Sequence, residues 1–249
     1  MSEHVVVERR GAVQIIRLNR PDKKNAITRA MYDAMAAALR AGDADGEVRV
    51  HVFLGAPGAF SSGNDLQDFL AVATGGDAGQ DVFDFLVALA TAAKPVVSGV
   101  DGLAIGIGTT IHLHCDLTLA TPGSLFRTPF TDLALVPEAA SSLIAPQIMG
   151  HQRAFAMLGM GEGFSAEQAR DAGLIWRIVD ADDLETEVMA AAEALAAKPP
   201  EALQLAKKLV RGPREPVLER IREEGALFLE RLKSDEAREA FMAFMARKK

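Results

Sequence analysis

Short apolar runs alternate with apolar positions at helical spacing as far as about residue 180, and beyond that only the helical spacing continues. Residues 5–8 and 13–18 read as two strands of a hairpin around Arg10-Gly11. Arg20-Pro-Asp22 follows as a turn, and Thr28 is placed to cap a helix whose apolar side carries Met31, Met35 and Leu39. Residues 48–54 predict a buried strand closed by the turn Pro57-Gly58, and the Gly- and Asp-rich residues 74–80 predict a loop. Val82, Phe85, Leu86 and Leu89 share one side of a helix over residues 82–90. Strands over residues 95–100 and 117–121 bracket a glycine-rich turn and a helix. Ser165-Ala-Glu-Gln168 is a capping box, Gly173 ends its helix, and residues 174–179 predict a short strand in which Trp176 packs. After Asp183 the pattern is helical, broken at Pro199-Pro200, Gly212-Pro213 and Pro216. The expected class is therefore α/β: a core over residues 1–190, then a C-terminal helical region over residues 191–249.

Composition narrows the function classes. The 249 residues, 49% hydrophobic, suffice for one large domain or a core with a small appendage. A net charge of -7 argues against nucleic acid as the partner. The single cysteine, Cys115, rules out an intrachain disulfide and points to a reducing, cytoplasmic setting. No apolar run approaches the ~20 residues of a membrane span. Residues 1–10 lack the apolar stretch of a signal peptide, and the final Ala246-Arg-Lys-Lys249 is not a peroxisomal address of the Ser-Lys-Leu type.

Candidate chemistry begins at the glycine turn, Gly102-Leu-Ala-Ile-Gly-Ile-Gly108, which opens a helix. About thirty residues on, Glu138 stands alone among Leu135, Val136, Pro137, Ala139 and Ala140. A helix start offers free N–H groups that can hold developing negative charge. A carboxylate among apolar neighbours loses hydration, which raises its pKa and makes it a usable base. Together they suggest proton abstraction beside a carbonyl, with the enolate held by the backbone. Taken alone, Glu138 reads equally as an acid favoured at a helix start, and the glycines as an aid to close packing. Gly106-Ile-Gly108-Thr-Thr-Ile111 lacks the third glycine of a dinucleotide fingerprint. His112 and His114 do not share a helical face and read as structural, with no metal expected. Cys115 reads as a small core residue, Asp132 as a loop residue, and Lys207, Lys208 and Arg211 as a solvated helix face.

Three more segments precede or follow the glycine turn in order: Asn19-Arg-Pro-Asp-Lys-Lys-Asn-Ala-Ile27, Ala59-Phe-Ser-Ser-Gly-Asn-Asp65 and Gly163-Phe-Ser-Ala-Glu-Gln168. With Lys94-Pro-Val-Val-Ser-Gly-Val-Asp-Gly102 leading into the turn itself, this series resembles the crotonase superfamily, the enoyl-CoA hydratase/isomerase family, over roughly residues 5–245. The resemblance implies a spiral of repeated ββα units, assembly into homotrimers or hexamers through the C-terminal region, and acyl-CoA substrates, with CoA present only as part of the thioester. By position it assigns the two oxyanion N–H groups to Asn64 and Ile107. It assigns CoA contacts to Lys24, Ala26, Asp65 and Leu66, and contacts across the subunit interface with the adenine end of CoA to Phe241, Arg247 and Lys248. Asp101 and Asp116 match positions that are structural in the family.

The departures from that pattern matter most. The two glutamates of the family's hydratases fall here on Thr110 and Phe130, neither of which ionises usefully. Thr128-Pro-Phe-Thr-Asp-Leu-Ala-Leu-Val-Pro-Glu138 instead resembles the peroxisomal-type Δ3,Δ2-enoyl-CoA isomerases, whose catalytic glutamate takes the slot of Glu138. The implied activity is a one-carboxylate shift of a 3-enoyl-CoA double bond to the 2-trans position. The alternatives are an enoyl-CoA hydratase, another crotonase-type acyl-CoA enzyme, or a non-catalytic acyl-CoA-binding subunit.

Overall fold

The computed structural model describes residues 2–65, 67–68 and 79–246. Leu66, most of the loop expected over residues 74–80, Arg247 and Lys248 lie outside them. Strands β1 (Val5–Arg10) and β2 (Val13–Leu18) form the expected antiparallel hairpin, turning at Gly11 with φ 57°. Three strand pairs follow: β3 (Val50–Leu54) with β4 (Ala59–Ser61), β5 (Val96–Val100) with β6 (Leu103–Ile105), and β7 (Leu117–Ala120) with β8 (Leu125–Arg127). Each pair sends its first strand to one sheet and its second to another. With β9 (Phe164–Ser165) and β10 (Arg177–Ile178), the sheets run β1-β2-β3-β5-β7-β10 and β4-β6-β8-β9.

The central strands β3 and β5 of the larger sheet are buried on both faces, which is why they read as largely apolar runs. Successive side chains of a strand point to opposite faces. Ile16, Leu18, Phe53, Val96 and Val100 enter the main core, shared with α1 (Arg29–Ala44) and α2 (Gln80–Thr91). Ile15, Val50, Val52, Leu54 and Val97 face the other way, onto Leu184, Val188, Met189 and Ala192 of a C-terminal helix. Each fully buried side chain of this kind contributes about 1.5–3 kcal/mol. Thr28 caps α1 as expected, accepting from the Met31 N–H at 3.4 Å.

Further α-helices are α3 (Ile107–Thr110), α4 (Ser141–Met149), α5 (His151–Leu158), α6 (Ala166–Asp171), α7 (Leu184–Ala196), α8 (Pro200–Arg211), α9 (Glu215–Leu232) and α10 (Asp235–Ala246). The capping box of α6 is formed in both directions, and Gly173 turns the chain away with φ 82°. Helix α7 runs across residue 190, where the sequence pattern divides core from tail. Pro216 does not break the chain: it lies in the first turn of α9, where a missing N–H costs nothing, and the break falls instead at Lys233-Ser234. Trp176 is 42% exposed, against the expectation of packing, and carries the Arg177 guanidinium 3.7 Å above its ring. Among the described residues, no helix is long and apolar enough to cross a membrane.

Candidate active site

Two chain turns meet at one cavity. The first is pinned by Asn25, fully buried at φ 54°. Its side-chain amide donates to the carbonyls of Ala59 and Phe60 and accepts from the Arg20 N–H, and its own carbonyl accepts from Ser61 Oγ. An apparent turn residue is thus the clip that holds the loop to β4. Next, Ile27 donates to the Gly63 carbonyl at 2.8 Å and accepts from the Asp65 N–H at 2.9 Å, a parallel bridge to Asn64. Such a bridge uses the groups on either side of Asn64 and leaves the Asn64 N–H facing away from Ile27. Glycine is required at position 63: φ is 92°, and a Cβ there would stand 3.0 Å from the Ile105 carbonyl oxygen.

The second turn is Gly106, which precedes α3 and accepts from the N–H groups of Thr109 and Thr110. Ile107 is the first helical residue, so its N–H has no acceptor within the helix. A Cβ at Gly108 would lie 2.8 Å from the Ser61 carbonyl oxygen. That close approach seats the helix start directly on β4 and brings the two turns together. Asn64 and Ile107 line one cavity of about 940 Å³ with Gly63, Gly106 and Phe130.

Glu138 is only 8% exposed. Burial pushes its carboxyl up to about 8; the Thr110 hydroxyl, donating to Oε1 at 2.6 Å, pulls downward, and the charge of Glu224 pushes up again. The two residues that follow, Ala139 and Ala140, both take the left-handed conformation, at φ 60° and 54°. Non-glycine residues held there store roughly 1–3 kcal/mol each. Buried His114 holds the turn with Nε2 at 2.7 Å from the Ala139 carbonyl, so Nε2 carries the proton. Glu224 of α9 accepts from the Ser142 N–H at 3.0 Å at the start of α4. Glu138 lines a second, largely apolar cavity of about 420 Å³, and Asn64 and Phe228 line both cavities. The Asn64 side chain is oriented by Tyr32, whose hydroxyl donates to its Oδ1 at 2.5 Å.

Of the residues assigned to CoA, Lys24, Ala26 and Asp65 line the larger cavity, and Leu66 lies outside the described residues. Asp65 is engaged by Arg20 at 2.6 Å. Arg20, Lys23 and Arg127 also line this cavity; with Arg20 paired to Asp65 and Arg127 to Asp132, Lys23 and Lys24 leave its lining net positive in a protein of net charge -7. Phe241 is 4% exposed and packs in its own chain's core, so it is not free to reach a neighbouring subunit.

Lys207 and Arg211 are not a solvated face. Their side chains are 9% and 14% exposed, and both bind Asp116, at 3.0 and 2.7 Å. Arg211 also donates to the His114 carbonyl. His112 and His114 have separate partners, Ser98 Oγ and the Ala139 carbonyl, and burial lowers their pKa values to about 3 and about 4. Burial raises the Cys115 thiol to about 11, which fits an unreactive side chain. Asp132 pairs with Arg127 at 2.8 Å, and Asp101 accepts from the Gly58 N–H and the Thr121 hydroxyl.

Comparison with known proteins places this arrangement among relatives. The family model described as enoyl-CoA hydratase/isomerase matches residues 8–249. Enoyl-CoA delta isomerase 2 of Rattus norvegicus is 34% identical over 99% of this chain, which spans 64% of that relative's length. A probable enoyl-CoA hydratase of Rhizobium meliloti is 31% identical over 99% of this chain and 96% of its own. The solved structure of Pseudomonas aeruginosa OdaA superposes with a TM-score of 0.93 at 42% identity, covering 98% of this chain and 99% of that one.

Proposed function

The chain belongs to the enoyl-CoA hydratase/isomerase family, and on that premise we propose that it moves the double bond of a 3-enoyl-CoA to the 2-position with Glu138 as its single proton carrier. The observation that carries this reading is the setting of Glu138: buried, raised to about 8, hydrogen-bonded by Thr110, and beside the Asn64 wall of the cavity. Thr110 and Phe130 stand where the resemblance places the hydratase glutamates, so no second carboxylate is supplied from those positions to activate water.

In this mechanism the thioester oxygen sits between the N–H groups of Asn64 and Ile107. Ionised Glu138 removes a proton from C2, and the negative charge moves to the oxygen as a dienolate. Each such donor lowers the barrier by about 3 kcal/mol. The protonated carboxyl then delivers the proton to C4, leaving the double bond at C2. A carboxyl raised toward neutrality suits both halves, since it must accept and return the same proton. Phe130, 5% exposed, keeps its side of the cavity apolar and opposes water delivery. The net positive charge that Lys23 and Lys24 give the cavity lining suits the anionic CoA moiety. Assembly into trimers or hexamers belongs to the same proposal.

The test is incubation with a 3-enoyl-CoA and, separately, with crotonyl-CoA, followed by chromatography. Conversion of the first to the 2-enoyl ester, with the second unchanged, is the expected result. Hydration of crotonyl-CoA would refute the one-carboxylate mechanism.

A further inference from the structure

Helix α9 carries a glycine that neither its backbone nor its packing requires. Gly225 lies in the middle of an 18-residue helix, where glycine is disfavoured relative to alanine. Its φ is outside the left-handed region, and a Cβ built on it meets no heavy atom within 4 Å among the described residues. Gly225 does, however, line the cavity of about 420 Å³ that Glu138 also lines. Ile27, Phe83, Leu86, Ile221 and Leu229 supply apolar wall around it. A Cβ at position 225 would thus stand in open space, among the described residues, at a wall of this cavity. Arg29, one of the charged groups in the lining, is tied to Asp81 at 3.0 Å.

We infer that Gly225 is a specificity-determining residue. Its missing side chain leaves room for an extended apolar acyl tail, so the substrate class is acyl-CoA esters with tails well beyond the four carbons of crotonyl-CoA. This rests on the acyl-CoA reading of the Glu138 site and adds which acyl groups it takes. A buried methylene strengthens binding about fourfold, so affinity should rise with tail length as long as the cavity accepts the tail.

The test is calorimetric titration with the saturated esters butyryl-CoA and decanoyl-CoA, on the native protein and on Gly225→Ala and Gly225→Leu. The native protein should bind decanoyl-CoA roughly tenfold or more tightly than butyryl-CoA. Gly225→Leu should reduce that ratio to about threefold or less, with Gly225→Ala between the two. Alanine is the better helix former, so it keeps the test open should the leucine variant fail to fold. An unchanged ratio in the folded variants would overturn the role of Gly225, and a native ratio near one would overturn the cavity as a tail site. Turnover of 3-decenoyl-CoA is read separately. Tail-dependent binding without turnover would sink the isomerase mechanism and leave the assignment of Gly225 standing.

Discussion

Glu138 and Asp65 expose similar fractions of their surface, 8% and 9%, but Glu138 lies much deeper among protein atoms, and their carboxyls are displaced in opposite directions. Burial raises both. At Asp65 the Arg20 guanidinium at 2.6 Å and the Gln67 N–H at 2.9 Å outweigh it, and the group is held below its ordinary value. At Glu138 the opposing contact is a hydroxyl, Thr110, and burial prevails. Depth and partner together decide what a carboxyl can do: deep burial against one hydroxyl at Glu138, shallower burial against a guanidinium at Asp65. Asp65 is fixed as an anion and ties the loop carrying Arg20 to the turn beyond the Asn64 bridge. The other is free to change its charge during a reaction.

The largest effect should come from removing the proton carrier. Glu138→Gln keeps the shape and removes the base, so kcat for 3-enoyl-CoA isomerisation should fall about 10³-fold or more, while saturated acyl-CoA binds nearly as before. Rate loss matched by lost affinity would show instead that Glu138 shapes the cavity. Asp65→Asn strikes the other half of the comparison. It leaves Arg20 without its anion, and breaking a pair whose side chains are 15% and 12% exposed should cost about 3 kcal/mol, a fall in Tm of roughly 10 °C. Because the folded-state pKa of Asp65 is depressed, its contribution is complete above the ordinary carboxylate range and is lost as pH falls through the folded value. The Tm gap between native protein and variant should therefore close on acidification. A gap that persists there would remove the ion pair from the account.

How much of this was legible in the sequence follows from how far each feature reaches. The large sheet was readable because strands such as Val50–Leu54 and Val96–Val100 are apolar on both faces. The second sheet was not: strands of three residues, such as Leu103–Ile105, are too short to show a period. Helices α4 and α5 were hidden by Pro146 inside α4 and by the left-handed Ala139 and Ala140 ahead of it, since alanine carries no turn signal. Asn64, Ile107 and Glu138 were chosen from contiguous motifs, and the structure sets Asn64 and Ile107 on one cavity and Asn64 and Glu138 on the other. Lys207 and Arg211 were misread because their partner, Asp116, is 95 residues from Arg211 along the chain. Asn25 carried a turn residue's signature, and only its buried contacts with β4 reveal the clip.

The smallest effect tests the hydroxyl that separates Glu138 from a carboxyl wholly without a donor. In the native protein kcat/KM requires the ionised base, so it should rise about tenfold per pH unit below a carboxyl pKa of about 8 and level off above it. The Thr110 hydroxyl lowers that pKa, because a donated hydrogen bond favours the anion. Thr110→Val removes the donor with little change of shape. If the bond is worth about 1–1.5 kcal/mol to the charged form, the inflection should move up by roughly one unit. At pH 7 the variant should then be about tenfold slower in kcat/KM, and most of the loss should disappear on the alkaline side of the new inflection. A structural defect would instead lower the whole profile evenly, without moving its inflection. An unmoved inflection would mean that burial and the charge of Glu224, without Thr110, set the charge of Glu138.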